Sequence, residues 1–343
     1  MPGRKRRPAT AATPIAFVHA VLRAYGSYRA DPSGVLAEAR ITPAQLEDPD
    51  AHITARQMEV LSEGAMKQLD DEALGWFSRR LPWGSLGMLC RASLTSPDLG
   101  VALRRWFRHH LLLTDDLELR LEVSSDRVAT VALVEHRALG DVREFCLLSY
   151  LRYVHGYACW AVDSRISLRA VGFPFPRPAH GAVYPLLFPG PVSFDAPRAF
   201  MSFDASYLAL PQRRDDAALR TMLKRALPLT VLQYRRDRLV VQQVRTLLGE
   251  GLARIHDAGD LARRLHLSTR SLHRHLHEEG ASLQALKDDA RRERAIELLC
   301  RTERRVKQVA LEVGFESEKS FARAFKAWTG HTPRAYRRRN PPV

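Results

Sequence analysis

The stretch EVGFESEKSFARAFK, residues 312–326, decides how this chain folds. Most of it is charged and helix-forming, yet Gly314-Phe315 stands near its start. Glycine adopts a left-handed backbone without a steric penalty, so at this place it ends a helix rather than extending one. Ser317 then offers a side-chain oxygen to cap a second helix. On that helix Phe321, Phe325 and Trp328 share one face, while Lys319, Ser320, Arg323 and Lys326 share the other. The stretch therefore reads as two helices around a turn, with Phe315 as an anchor into the core.

The same device stands earlier in the chain. Leu261-Ala262 matches Val309-Ala310 at an offset of 48, and Leu265 matches Val313. Ser268, Leu272, Arg274 and Leu276 match Ser317, Phe321, Arg323 and Phe325 at an offset of 49. Ser282, Ala285 and Leu286 match Thr332, Ala335 and Tyr336 at an offset of 50. The indels fall at turns and the matches on helix faces, as expected of a structural repeat. In the first copy Arg270, His273, Arg274 and His277 make the outward face. Each copy is a helix-turn-helix, about 258–279 and about 306–329, whose second helix suits a DNA major groove. Ser282 to Cys300 reads as one continuous helix of roughly 27 Å. That length sets two recognition helices about one DNA turn, about 34 Å, apart.

Charge agrees with this placement. Residues 251–343 hold 20 Lys and Arg against 12 Asp and Glu, a net +8 of the chain's +15. Arg4, Lys5, Arg6 and Arg7 carry another +4, leaving +3 for residues 8–250. A basic C-terminal third beside a near-neutral body implies a polyanion-binding module joined to something else. Charge by itself is equally compatible with a solvated basic surface.

The 343 residues are enough for two domains. Residues 1–13 read as a disordered basic tail, serving either phosphate attraction or solubility. No apolar stretch follows the N-terminal basic residues, so no secretory signal is expected. The long apolar run Phe145 to Val162 contains Arg152 and His155, which makes it a buried helix rather than a membrane span. Helical patterns also run from Thr13 to Tyr25 and from Thr54 to Leu69, and a third follows Ser96-Pro97, with Ser96 as its cap. LELRLEV (117–123) and VATVALV (128–134) flank turn residues and read as a hairpin; ISLRAVGF (166–173) is another strand. The Pro-, Gly- and Phe-rich residues that follow read as loop. The fold class expected is thus an α+β domain over 14–232 and an all-α domain over 233–343. Cys90, Cys146, Cys159 and Cys300 have no metal spacing and fit reduced, buried thiols.

STRSLHRHLHEEG and VALEVGFESEKSFARAFKAWTGHTPRAYRR resemble the DNA-binding domain of the AraC/XylS family of bacterial transcription regulators. The second motif carries that family's Gly-Phe, Ser, Phe-x-Arg-x-Phe-Lys, Gly-x-Thr-Pro and Tyr-Arg pattern, and the likeness covers about the last 105 residues. SLGMLCRASLTSPDLGVALRRWFRHHLLL and VYPLLFPGPVSFDAPRAFMSFDASYLALP are similar to the family's arabinose-binding-like effector domain of the non-cupin type. The resemblance implies an effector-sensing or dimerisation domain, double-stranded DNA and RNA polymerase as partners, a homodimer, no cofactor, and a place in the bacterial cytoplasm at the nucleoid.

By analogy with the family, Arg270, His273 and Arg274 read bases from the first recognition helix, and Glu318, Lys319, Ser320 and Arg323 from the second. Arginine donates two bonds to guanine O6 and N7. Two readings of Glu318 stand: acceptor from cytosine N4, or a first-turn acid favoured by the helix dipole. For Arg274 and Arg323 the alternative is a surface salt bridge. Ser268, Thr269, Ser317 and Lys326 are expected at phosphates. The phenylalanines and Trp328 are expected to pack a core rather than stack on bases. His273 and His277 make an i, i+4 pair without a third metal ligand, so no metal is expected. Segments 173–203 and 141–162 are the pocket candidates for an effector.

The function expected is sequence-specific transcription regulation under a small-molecule effector, without catalysis. Two alternatives remain at this level. A DNA-repair methyl-acceptor enzyme carries a similar module beside a four-cysteine zinc site, which cysteines spread from 90 to 300 do not reproduce. An architectural protein would bind DNA without sequence preference.

Overall fold

A computed structural model describes residues 13–224, 239–251 and 257–339. The chain forms two compact units, Met1–Arg235 and Arg236–Val343. The basic cluster Arg4–Arg7 and the boundary expected at 232/233 lie outside the described residues. Thr13, read as the end of a disordered tail, instead pairs in a two-stranded ribbon, β1 (Thr13–Pro14) with β2 (His52–Ile53).

The N-terminal unit opens with helices α1 (Ile15–Tyr28), α2 (Ser33–Ala39), α3 (Pro43–Glu47) and α4 (Ala55–Gln68). The apolar face of α1 buries Ile15, Val18, Val21 and Tyr25. Thr54 starts α4 with a reciprocal cap: its Oγ1 accepts from Gln57 N at 3.2 Å, and Gln57 Oε1 accepts from Thr54 N at 3.0 Å. Then come α5 (Ser85–Ser93) and α6 (Leu99–His110). The start of α6 corrects the expectation at Ser96-Pro97. Asp98 is the cap, accepting from Val101 N at 2.8 Å, because a carboxylate two residues on satisfies the first free N–H groups. Ser96 is buried ahead of the helix.

A mixed five-stranded sheet follows, in the order β3-β4-β7-β5-β6. Strands β3 (Leu117–Val123) and β4 (Val128–Glu135) form the expected hairpin, Leu117 opposite Glu135 and Val123 opposite Ala129. β5 (Leu168–Gly172) lies within the expected strand. The loop read after it is the main correction. It contains a helical turn, α8 (Tyr184–Leu187), the edge strand β6 (Val192–Ser193), and β7 (Ala199–Asp204). β7 is central, antiparallel to both β4 and β5, and buries Ala199, Met201 and Phe203 on one face, with Ser202 buried between the last two.

The apolar run becomes α7 (Arg143–Val162), buried over most of its length. Its buried Arg152 and His155 are paired. The Arg152 guanidinium donates to the Leu187 carbonyl and lies 5.5 Å from the Phe188 ring centroid. His155 Nε2 is 2.9 Å from the Ile166 carbonyl oxygen. α9 (Asp216–Leu223) packs on α5, and Gly87 permits the approach, since a Cβ there would stand 3.2 Å from Leu223 Cδ1.

The C-terminal unit is helical throughout its described residues. It comprises α10 (Leu239–Gly251), α11 (Ala258–Arg264), α12 (Thr269–Glu278), α13 (Leu283–Arg301), α14 (Val306–Glu312), α15 (Glu318–Thr329) and α16 (Pro333–Arg339). It has two cores. Val241, Val244, Leu248, Leu261, Leu272, Leu276 and Leu286 fill the first. Leu298, Leu299, Val309, Val313, Phe321 and Phe325 fill the second. Helix α13 contributes to both, so its 19 residues, about 28 Å of helix, join two small bundles.

Candidate nucleic-acid interface

Each copy of the repeat builds its exposed helix in the same steps. The first helix ends at a residue with positive φ, His266 at 55° and Gly314 at 81°. The next amide turns back onto the helix just left: Leu267 N donates to Ala262 O at 2.8 Å, and Phe315 N to Phe315's equivalent acceptor, Ala310 O, at 2.9 Å. A serine then caps the second helix. Ser268 Oγ accepts from Ser271 N at 3.1 Å, and Ser317 Oγ accepts from Ser320 N at 3.1 Å. Fully buried residues hold the second helix down: Leu272 and Leu276 in α12, Phe321 and Phe325 in α15.

The aromatic residues of the second copy are core. Phe315 and Phe321 have ring centroids 5.6 Å apart, Phe321 and Phe325 5.5 Å, and Phe325 meets Tyr336 edge-on at 5.4 Å. Full burial of Phe321 and Phe325 is worth about 1.5–3 kcal/mol each, so they are committed to fixing α15.

That leaves the opposite face free. Arg270, His273 and Arg274 of α12 are exposed, as are Lys319, Arg323 and Lys326 of α15. Ser268, Thr269 and Ser317 are exposed at the helix starts. Glu318 and Ser320 are half-buried. Glu318 Oε1 lies 3.4 Å from the Arg334 guanidinium of α16. The Ser320 hydroxyl donates to Ser317 O at 2.9 Å, within the cap. Arg274 Nε is 3.8 Å from Glu278 Oε1, an exposed i, i+4 pair too weak to hold the side chain. Among the described residues no cluster of three or more His, Cys, Asp or Glu is arranged for a metal ion.

Three supporting residues escaped the reading of the sequence. Glu279, buried at the end of α12, accepts from Val240 N at 3.2 Å and Val241 N at 2.9 Å, capping α10. Its signal, an acid just before Gly280, is indistinguishable from a surface charge without the fold. Arg291 of α13 lies 5.1 Å from the Phe315 ring centroid and braces the second turn. His266 occupies, in the first copy, the position that Gly314 holds in the second.

A family model described as the arabinose-binding domain of AraC transcription regulator, N-term, matches residues 30–212, more than half of the chain. A helix-turn-helix domain model matches residues 261–339. The chain belongs to the AraC family of transcriptional regulators. This AraC-family chain is 30% identical to an ornithine utilization regulator of Pseudomonas aeruginosa over 328 residues, 94% of this chain and 96% of that one. It is 26% identical over 315 residues to a helix-turn-helix regulator of Mycobacterium tuberculosis, covering 89% and 90% of the two chains. Among solved structures, the regulator CdpR of Pseudomonas aeruginosa is 20% identical, with 94% of this chain and 98% of that one covered and a TM-score of 0.34. The AraC-family protein is thus a DNA-binding transcriptional regulator with an N-terminal ligand-binding domain.

In the ligand-binding half the two segments expected to form a pocket differ. Phe173, Phe175, Tyr184, Phe188 and Phe194 of the 173–203 segment pack on one another, with Phe173 and Tyr184 centroids 5.0 Å apart. No residue of that segment lines the cavity of about 250 Å³ found in this unit, whereas Tyr150 and Tyr153 of α7 do.

Proposed function

We propose that this regulator reads a specific operator through two major grooves under control of a small molecule bound in its N-terminal unit. The observation that carries the reading is the repeated turn, cap and buried stripe, which leave Arg270, His273, Arg274, Lys319 and Arg323 exposed on equivalent faces. In this reading those five residues, with Glu318 and Ser320, meet base edges; Ser268, Thr269, Ser317 and Lys326 meet phosphates. The N-terminal unit also makes a homodimer, RNA polymerase is a partner, and the protein works at the nucleoid in the bacterial cytoplasm. No described helix is long and apolar enough to cross a membrane.

The protein acts without catalysis. Cys90, Cys146 and Cys159 are buried and Cys300 is half-buried, on three different helices. Burial pushes the Cys90 thiol up to about 12 and raises Cys146 well above the ordinary thiol value, which disfavours either as a thiolate.

The experiment is selection of genomic fragments by the purified protein, followed by footprinting against random-sequence competitor. Two protected grooves about one turn apart, resistant to competitor, are expected. Equal displacement by random DNA would replace specific regulation with an architectural role.

A further inference from the structure

Trp76, Trp83, Trp106, Tyr150 and Tyr153 wall the cavity of the N-terminal unit. Two carboxylates, Glu63 and Glu72, line it too. Much of the remaining wall is aliphatic, Met66 and Leu89 among it. Aromatic faces with carboxylates beside them suit a positive charge: the ring quadrupole attracts it and the carboxylate neutralises it. The rim already holds one alkylammonium in this way. Lys67 Nζ is 2.6 Å from Glu63 Oε1 and 5.1 Å from the centroid of the Trp83 ring.

Glu72 gives the deeper charge. Its two oxygens accept from Gly84 N at 2.8 Å and Leu86 N at 2.6 Å, which fixes the carboxylate in place and leaves further lone pairs. Burial, and then the neighbouring acids Asp71 and Asp70, raise its pKa, so a cation arriving here relieves a standing cost. Asp71 itself is occupied, accepting from Ala73 N and Leu81 N, both at 2.9 Å. The buried indole N–H of Trp76 has no acceptor among the described residues. A polyol would leave most of its hydroxyls unpaired against such walls, and a carboxylate would meet two acids, Glu63 and Glu72, against one cation, Lys224.

We infer that this cavity is the effector site, and that it takes a small primary amine with an apolar or aromatic body, its ammonium toward Glu72 and Glu63. The inference rests on the effector-controlled reading above and adds the site and the ligand class. The cavity lies somewhat under the usual range of small-molecule sites, about 300–1,000 Å³, so the guest is small. The occupant also touches Leu223 and Lys224, at the end of α9, the last described residues of this unit.

The test is a titration of the full-length protein followed by intrinsic tryptophan fluorescence, with phenethylamine and hexylamine set against phenylacetate, hexanoate and L-arabinose. A saturable change is expected with an amine and with none of the other three. Glu72→Gln is expected to weaken it at least tenfold. Glu63→Gln, a half-buried position on α4 whose carboxylate bonds no backbone amide among the described residues, is expected to weaken it severalfold. Equal binding of the carboxylates, no response to either amine, or unaltered binding in both variants would overturn the amine assignment. Effector control is read separately by native mass spectrometry of protein purified from cells. A retained molecule lacking an amine would leave effector control standing and sink the ligand class.

Discussion

His266 and Gly314 hold the same place in two copies of one turn, 48 residues apart, and both lie in the left-handed backbone region. Glycine occupies it freely, whereas a side chain costs about 1–2 kcal/mol there. Gly314→Ala is expected to destabilise the second core by about that amount, since a Cβ would meet nothing closer than Arg291 Nη2 at 3.7 Å. His266→Gly should stabilise the first core by about 0.5–1 kcal/mol. Hydrogen exchange at the Leu272 and Phe321 amides measures the two separately.

Arg274→Ala and Arg323→Ala should each cost about 1–3 kcal/mol on the cognate site and relax specificity locally. Binding titrations on the operator and on single-base variants read this. A uniform loss across sequences would make them phosphate contacts instead. Glu278→Ala, which removes the exposed partner of Arg274, should change stability by no more than about 0.5 kcal/mol.

Glu279→Gln tests the clamp between α12 and α10. The buried carboxylate accepts two amide N–H groups, so its neutralisation should cost about 1–3 kcal/mol. Faster exchange at the Val240 and Val241 amides is the direct readout. Unchanged exchange there would show the cap to be dispensable.

Acid should destabilise the N-terminal unit before it titrates carboxylates. Burial lowers His110 to about 4, and burial with the nearby Arg152 lowers His155 to about 4. Both folded values lie below the unfolded value of about 6.5. The unfolded chain therefore binds protons first. Stability is complete above about pH 6.5, falls between there and about pH 4, and the loss is on the order of 3 kcal/mol per histidine. Melting curves from about pH 7.5 to 4 check it; a midpoint flat to about pH 4.5 would contradict it. His110 also bonds Tyr150 Oη at 2.9 Å, at the cavity wall, so in the folded protein amine binding should be disturbed only as pH approaches about 4.

DNA binding should fall steeply with salt. If about six phosphates are neutralised, log K falls with a slope of about −5 against log salt. Titrations at several salt concentrations give the slope, and Lys326→Ala should lower its magnitude by about one.

The two units differ in how much of them was legible. In the C-terminal unit every signal is local: a positive-φ residue, a serine cap and a stripe at helical spacing fall within twenty residues. In the N-terminal unit, β7 (AFMSFD) breaks alternation with Phe200 between Ala199 and Met201, and it follows Pro191 and Pro197, so it carries no clean strand signal. The start of α6 was misplaced because Ser96-Pro97 and Asp98 each carry a starting signal, and only the bond to Val101 decides between them. Of the cavity, only the wall given by Tyr150 and Tyr153 fell within a segment the sequence singled out as a pocket candidate. The cavity draws Glu63, Glu72, Trp106, Tyr150 and Leu223 together from five separated segments.

The central place of β7 bears on how the chain is made. Ala129 pairs with Phe203 across more than seventy residues, so the middle of the sheet stays open until that late strand has left the ribosome. During that interval the inner edge of β4 exposes unpaired N–H and C=O groups along Val128–Leu133, a template for another nascent chain. The helical unit, built from near-neighbour contacts, has no comparable wait. Misassembly during synthesis will therefore begin in the sensing half, and its yield will depend on how quickly Ala199–Asp204 arrives.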